Sequence, residues 1–413
     1  MRIIADFHIH SKYARATSKF LDLPLIDKWA RIKGINLIGT GDFTHPAWSG
    51  EMKKYLEPAE NGFYTLKPEV STADPQFAKE KVYFVPTAEI ATIYTQGGKG
   101  RRLHTVLMVP DLEAVAKINE KLGRSFNIRS DGRPIIGLSA KDLARVILEI
   151  EPRSLIIPAH IWTPWFAVFG SKSGFDSIEE CYEDMASEIY ALETGISSDP
   201  SMNWQLSNLD KYTLISNSDA HSAGNLGRES NVFDLPENEF SYDEIVRIIK
   251  KKDQDRFKFT IEYFPEEGLY HWDGHRSCKY RVPPEESKKL NCICPVCGRP
   301  TTVGVLHRVG DLSDRSEAEM PVRGIPFKKF MPLDEIVAQA LGKGVNTKGV
   351  LTIYNQMIAD LGAEYPLLLD TSYEILAKNH GDRIAQAIQR VRDGNLTINP
   401  GYDGEYGVVK IFE

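Results

Sequence analysis

Residues 5–10 read Ala-Asp-Phe-His-Ile-His, and this stretch decides how the rest of the chain is read. A β-strand turns successive side chains to opposite faces. Asp6, His8 and His10 therefore share one face, while Ala5, Phe7 and Ile9 share the other. Neutral imidazoles and a carboxylate converging on one side suit a divalent transition metal. The competing reading is a pair of hydrogen-bonded core histidines. What separates the two is whether other parts of the chain supply further ligands.

From residue 1 to about 265, short apolar strand candidates alternate with helix-period segments. The strands are INLIGTGDF, VYFVPTAEIATIY, LHTVLMVP, SLIIPAHI, IYALET, YTLISNSDAH and FKFTIEYF. Between them lie PLIDKWARIKG, DLEAVAKINEKLG, SAKDLARVILEI and SIEECYEDMA, the last opening with the Ser177…Glu180 spacing of a capping box. This alternation predicts an α/β fold, and so many units predict a closed or nearly closed barrel with its chemistry at the carboxyl ends of the strands. Six of the ten histidines, His8, His10, His45, His104, His160 and His221, fall at or just beyond strand candidates. Glu89 sits late in an apolar strand, Asp42 follows LIGTG, and Asp219 shares a strand face with His221. These ligand-type residues exceed the needs of one zinc ion, which predicts two or three metals with Glu89 bridging. In such centres one metal lowers the pKa of a water and another stabilises a leaving oxygen, the chemistry of phosphate-ester hydrolysis.

Beyond residue 265 the composition changes. Residues 266–315 are rich in turn formers and poor in apolar residues, so a small domain here needs a metal to fold. Cys278, Cys294 and Cys297, the last two in a CPVCG knuckle, have zinc-ribbon spacing. His275 is the fourth ligand by spacing, with Asp273 or His271 as alternatives, and Cys292 is one residue too many. A closed four-ligand site predicts one structural zinc. Cys181 stands apart as a buried thiol. Residues 316–413 carry helix-period segments and an apparent closing hairpin. Three domains are expected: 1–265, 266–315 and 316–413.

The chain has 413 residues and a formal net charge of −7, so any nucleic-acid surface must be local rather than global. No basic region followed by an apolar stretch opens the chain, and no apolar run reaches the length of a membrane helix. A soluble, cytoplasmic, nucleoid-associated protein with no membrane partner is expected. Three basic stretches lie at 97–102, 250–258 and 326–330. The first precedes His104 and carries Lys99, Arg101 and Arg102. Together they favour a polyanionic substrate. After His160, HIWTPWFAVFGSKSG places Trp162, Trp165, Phe166 and Lys172 beside the metal residues, where a ring can stack on an extruded base. Some of these rings can equally be core.

The ordered set DFHIH, GDFTH, AEI, His104, PAH and SDAH resembles the motif series of the PHP (polymerase and histidinol phosphatase) family. The resemblance spans residues 1 to about 265. It implies a distorted (βα)7 barrel with a trinuclear metal site and phosphoesterase activity. Carried over by position, it implies that His8, His10, Glu89 and Asp219 hold one metal and that Glu89, His104 and His160 hold a second. Asp42 or His45, with His221, would hold the third. Gly41-Asp42-Phe43 departs from the usual Thr-Asp-His, and Arg15 or a neighbour stands where the family often has His. Arg15 is then a candidate for pairing with a substrate phosphate or a plain surface residue. Asp6 matches a position that orients a ligand, and Glu193 one that transfers a proton or supports the site. Across all 413 residues, GDFTHP, LETGISSDPSMNW, DGHRSC, CPVCG, GVLHRV and PGYDGEYG resemble the archaeal endonuclease Q family. That resemblance implies a DNA-repair nuclease acting on single- or double-stranded DNA. Its lesions are uracil, hypoxanthine, xanthine and abasic sites, and the cut falls 5′ to the lesion. The metals would be zinc, magnesium or manganese. The sliding clamp (PCNA) would be a partner, although no clear clamp motif precedes Glu413. A PHP phosphatase for a small phosphate monoester is the alternative.

Overall fold

The first strand, β1 (Arg2–Asp6), ends sooner than its alternating pattern predicts. His8 and His10 lie just past it, tethered where Ile9 bridges Ala220 and the His10 N–H donates to the Ala220 carbonyl at 3.0 Å. A computed structural model describes residues 1–77, 80–316 and 321–413. The strands that follow are β2 (Leu37–Gly39), β3 (Tyr83–Val85), β4 (Thr87–Gln96), β5 (Lys99–Met108), β6 (Leu155–Pro158), β7 (Ala191–Glu193) and β8 (Thr213–Ile215).

The segment VYFVPTAEIATIY, read as one strand, breaks at Pro86 because proline has no N–H for a ladder. β3 pairs with β2, while β4 pairs antiparallel with β5 and passes the chain to a second sheet. β5 in turn pairs with β6. The Ile161 N–H donates to the Glu193 carbonyl and joins the ends of β6 and β7, and β7 runs parallel to β8. The Ile9–Ala220 bridge closes the ring. Counting β3 and β4 as one bent strand, this is the distorted seven-stranded α/β barrel. The antiparallel β4–β5 hairpin is its main departure from a regular βα repeat. Gly97 and Gly98 turn that hairpin with φ of 60° and 73°, values that suit glycine at both centres of a primed turn. The basic stretch 97–102 is thus a hairpin tip and the start of a strand.

Alternate residues of the ring strands, including Ile3, Ala5, Phe7, Leu37, Val85, Val106, Ile157, Ala191 and Ile215, form one continuous buried apolar cluster. Their opposite-face neighbours Ile4, Ile38, Phe84, Leu107, Ile156, Leu192 and Leu214 pack with the helices. Side-chain caps open several of the helices. Asp22 accepts from the Leu25 N–H ahead of the helix Leu23–Lys33, Ser139 caps Ala140–Ile150, and Ser177 accepts from Glu180.

β9 (Ser230–Asp234) and β10 (Phe257–Glu262) extend the sheet from β1. β9 escapes the sequence reading because its short run SNVFD is flanked by acidic turns. β11 (Phe327–Lys329) pairs with β10, so a segment grouped by composition with the C-terminal helices completes the barrel sheet. The run 250–258 is no free basic patch. Lys252 is buried with its Nζ on the Asp210 carbonyl, and Arg256 pairs with Glu239 and Glu244. Among the described residues no helix is long and apolar enough to cross a membrane.

Beneath the ring, Glu262 is fully buried and accepts from the hydroxyls of Thr260, Thr194 and Ser216. Burial, with Asp199 adding, pushes its carboxyl up to about 8. As pH rises, the unfolded glutamate loses its proton first, while the native one keeps it. This residue's contribution to stability therefore falls between pH 4.5 and about 8. Glu262→Gln removes that slope. Its gain in Tm over the parent chain is expected to grow from about pH 5 to about pH 8. An equal shift at both values would refute the assignment.

Candidate metal centre

Four ligand atoms converge above β1. His10 Nε2 lies 3.0 Å from Asp219 Oδ1 and 3.2 Å from Glu89 Oε2, and His8 Nε2 lies 3.6 Å from each of the same oxygens. His8, His10 and Glu89 are almost wholly buried. Yet His8 Nε2, His10 Nε2 and Asp219 Oδ1 form no hydrogen bond of good geometry. Buried polar atoms left so are costly, and their convergence fits a cation. The far nitrogen of each ring is already engaged. His8 Nδ1 lies 3.0 Å from both oxygens of Glu193, and His10 Nδ1 lies 2.9 Å from Asp42 Oδ1. A carboxylate that accepts from Nδ1–H fixes the tautomer and leaves the Nε2 lone pair for a metal.

The other oxygen of Glu89 faces a second group. Glu89 Oε1 lies 2.6 Å from His104 Nδ1 and 3.2 Å from His160 Nε2, and those two nitrogens are 3.1 Å apart. Strand register accounts for this. Glu89 on β4 stands opposite Val106 on β5, so His104 is its diagonal neighbour on the same face. His160 follows β6 at φ 29°, and Asp42 and Asp219 also take left-handed backbone, at 48° and 46°. Such strain in non-glycine residues clusters at functional sites. Gly195, also left-handed, packs so tightly that a Cβ there would come within 2.5 Å of His160 Cβ.

Burial alone would raise Glu89, but His104, His8 and Arg133 hold it well below the usual carboxylate range. Burial opposes charge on His8, yet Glu193, Asp219 and Glu89 carry its pKa well above the ordinary value. Burial pushes His104 down to about 4, so this ring is a neutral ligand near pH 7.

The structure does not assemble the third metal set. Among the described residues, Asp42, His45 and His221 join no group of ligand atoms within 4.8 Å of one another. Asp42 is taken up by His10, the Ser11 N–H and the Ser11 hydroxyl. His45 stacks on Tyr13 at 4.4 Å and its Nε2 faces the Arg129 carbonyl. His221 lies against the His10 ring, with Nδ1 on its own loop's Asp219 carbonyl.

Asp6 is fully buried and accepts from the Ser218 N–H, the Ser218 hydroxyl and the Gly227 N–H, so it anchors the Asp219 loop rather than facing a reacting centre. Burial pushes it up to about 6. Glu193 also accepts from the His160 N–H and from Asn217, which leaves it fully buried and committed to holding His8. The Arg15 side chain is 84% exposed and lies beside Asp131. Trp162 is 1% exposed, packs against Phe169 with its ring tilted and donates to Asn203, which leaves no free face for a base. Arg101 is buried over the Phe175 ring and pairs with Glu180. Trp165, 40% exposed, and the half-buried Phe166, 4.6 Å from the His104 ring, remain beside the site. Lys99, Arg102 and Lys172 are exposed.

In the second cluster, the ligand atoms of His275, Cys278, Cys294 and Cys297 lie within 4.8 Å of one another. Asp273 is engaged instead by His307 Nδ1 at 2.5 Å and by the Gly304 N–H. Asp273 thus belongs to a separate group with Cys292 and His307, while His275 is the histidine that meets the three thiols. Burial raises the Cys278 thiol to about 11, with Cys297 and Cys294 adding. Such a crowd of thiols fits a divalent ion.

Glu193→Gln keeps the shape beside His8 but removes the charge that its Nδ1–H serves. Metal affinity, measured by chelator competition, is expected to fall ~10–100-fold with no change in circular dichroism. Cys297→Ser is expected to lower the metal content by one ion per chain in mass spectrometry. An unchanged count would remove the ribbon site.

Residues 332–395 match the family described as MJ0043 C-terminal domain. The chain is 33% identical over 269 residues to the uncharacterized protein MJ0043 of Methanocaldococcus jannaschii. That match covers 63% of this chain, and the chain spans about a third of the length of that relative, 33%. It is 27% identical to the uncharacterized protein YqxK of Bacillus subtilis, over 99% of both chains. The crystal structure of the lesion-specific endonuclease PfuEndoQ from Pyrococcus furiosus superposes with a TM-score of 0.86. Its identity is 33%, over 100% of this chain and 96% of that one. An endonuclease Q complex with a 27-mer duplex carrying an abasic lesion at the active site gives a TM-score of 0.85, also at 33% identity, over 100% of this chain and 97% of that one. At that identity over nearly the full length of both molecules, the chain belongs to the endonuclease Q family.

Proposed function

We propose that this protein is a metal-dependent DNA repair endonuclease. It recognises uracil, hypoxanthine, xanthine and abasic sites and hydrolyses the phosphodiester 5′ to the lesion. The observation that carries the reading is the buried Glu89 carboxylate, with one oxygen toward His8, His10 and Asp219 and the other toward His104 and His160. It supports a metal pair in a chain similar throughout to a nuclease solved on abasic duplex DNA.

His8, His10, Glu89 and Asp219 would hold one divalent ion and Glu89, His104 and His160 a second, with zinc, magnesium or manganese as the ions. Bound there, the pair supplies a water of lowered pKa and a clamp on the leaving oxygen. Glu193 and Asp42 orient the two N-terminal histidines by holding their Nδ1 protons. Lys99, Arg102 and Lys172 present positive charge for backbone phosphates, which positions DNA without reading sequence. Trp165 and Phe166 offer rings for an extruded nucleotide, and damaged pairs cost less to open. The ribbon holds one zinc and serves structure.

The test uses end-labelled duplexes with one uracil, one hypoxanthine, one abasic site or none. The parent chain is compared with Asp219→Ala, with and without chelator. A single cut 5′ to the lesion, leaving a 3′-hydroxyl and a 5′-phosphate, is expected from the parent alone, and only without chelator. Intact duplexes in magnesium, manganese and zinc alike, with release of phosphate from a small monoester, would replace the reading with a phosphatase.

A further inference from the structure

Arg133 carries no sequence signal of its own, but the fold delivers it to the metal centre. The chain reaches it through Gly132, where a Cβ would come within 2.5 Å of Asp42 Oδ2. Asp131 Oδ1 then accepts from the Arg133 N–H and from the Arg15 N–H, 3.1 Å each, and pins the turn. Arg133 Nη1 donates to Glu89 Oε2 at 3.1 Å, the same oxygen that faces His8 Nε2 and His10 Nε2. Glu89 is fully buried, whereas the Arg133 side chain is 28% exposed. The guanidinium therefore spans from a buried ligand to solvent at the mouth of the site. No other arginine pairs with a residue of the two ligand groups among the described residues. Arg15, which the sequence leaves as either a phosphate partner or a surface residue, points into solvent.

We propose that Arg133 holds a non-bridging oxygen of the scissile phosphodiester beside the metal centre, an inference that rests on the nuclease reading above. A guanidinium presents five N–H donors in a rigid fork, so one edge can stay on Glu89 while another takes a phosphate oxygen. In-line displacement increases charge on those oxygens. A fixed cation placed there stabilises the transition state more than the ground state. The rival role is narrower: Arg133 only offsets the charge of Glu89 and never touches substrate.

Arg133→Ala and Arg133→Lys in the full chain separate the two roles, with melting curves to confirm folding. Cleavage of the abasic duplex is read at saturating metal, and metal affinity is read independently by chelator competition. A third readout uses duplexes whose scissile linkage carries a single phosphorothioate diastereomer. The expected result is a fall in kcat of ~10²–10³-fold for Arg133→Ala, partly recovered in Arg133→Lys, with metal affinity unchanged or tighter. The parent is expected to discriminate between diastereomers, and Arg133→Ala to lose that discrimination. A metal affinity that falls along with the rate, an unchanged rate or an unchanged diastereomer preference would overturn the inference. An active parent beside an equally active Arg133→Ala sinks this inference alone. A parent silent on every lesion duplex sinks the nuclease reading, and this inference with it.

Discussion

One buried carboxylate governs the structure around it. Glu89 faces two histidine groups with its two oxygens, away from water. An isolated ionised carboxylate at such a depth is prohibitively costly, so it persists only among partners. His8 and His10 supply them from one segment, and His104, His160 and Arg133 each arrive from another part of the chain. Closing the strands into a ring is what makes those arrivals coincide. The Pro86 break sends Glu89 from one sheet to the next, which places the carboxylate between the two histidine groups rather than beside one.

A polar layer holds this arrangement in register. Asn217 accepts from the Phe7 N–H and donates to Glu193, and Asn231 donates to the carbonyls of Ala5 and Ser216. β1, β7, β8 and β9 are thereby linked by side chains as well as by their ladders. Asp6 performs the same service for the loop of Asp219. Fully satisfied networks of this kind rigidify a site, which suits three ligand-region residues held in strained backbone.

The zinc-ribbon region is not an appendage. Its helix, Val305–Leu312, sends Arg308 to the carbonyls of Phe169 and Phe175, on the loop that follows His160. The C-terminal turn in turn braces the ribbon, since Asp403 accepts from the Arg276 N–H and the Thr302 hydroxyl and Tyr402 bridges Trp272. Lys329 joins Asp199 to Glu266 across the barrel edge. A disturbance at the ribbon therefore has a covalent and hydrogen-bonded route to the aromatic loop beside the metal centre.

The sequence by itself determined the α/β alternation, the helix cap at Ser177, the Asp6, His8 and His10 spacing and the Cys-rich ribbon. Each is a local pattern: period, spacing or cap chemistry survives in one dimension. It could not say which polar residues meet. Asp42 and His45 are near neighbours in sequence, yet one supports His10 and the other stacks on Tyr13. Trp162 and Trp165 share a loop, yet one is core and the other exposed. Arg15 and Arg133 both lean on Asp131, yet only Arg133 turns inward to Glu89. Those choices follow from the close approach of Gly132 to Asp42, the left-handed turns and the closure of the ring. They depend on contacts between residues far apart in the chain, and only the tertiary structure decides them.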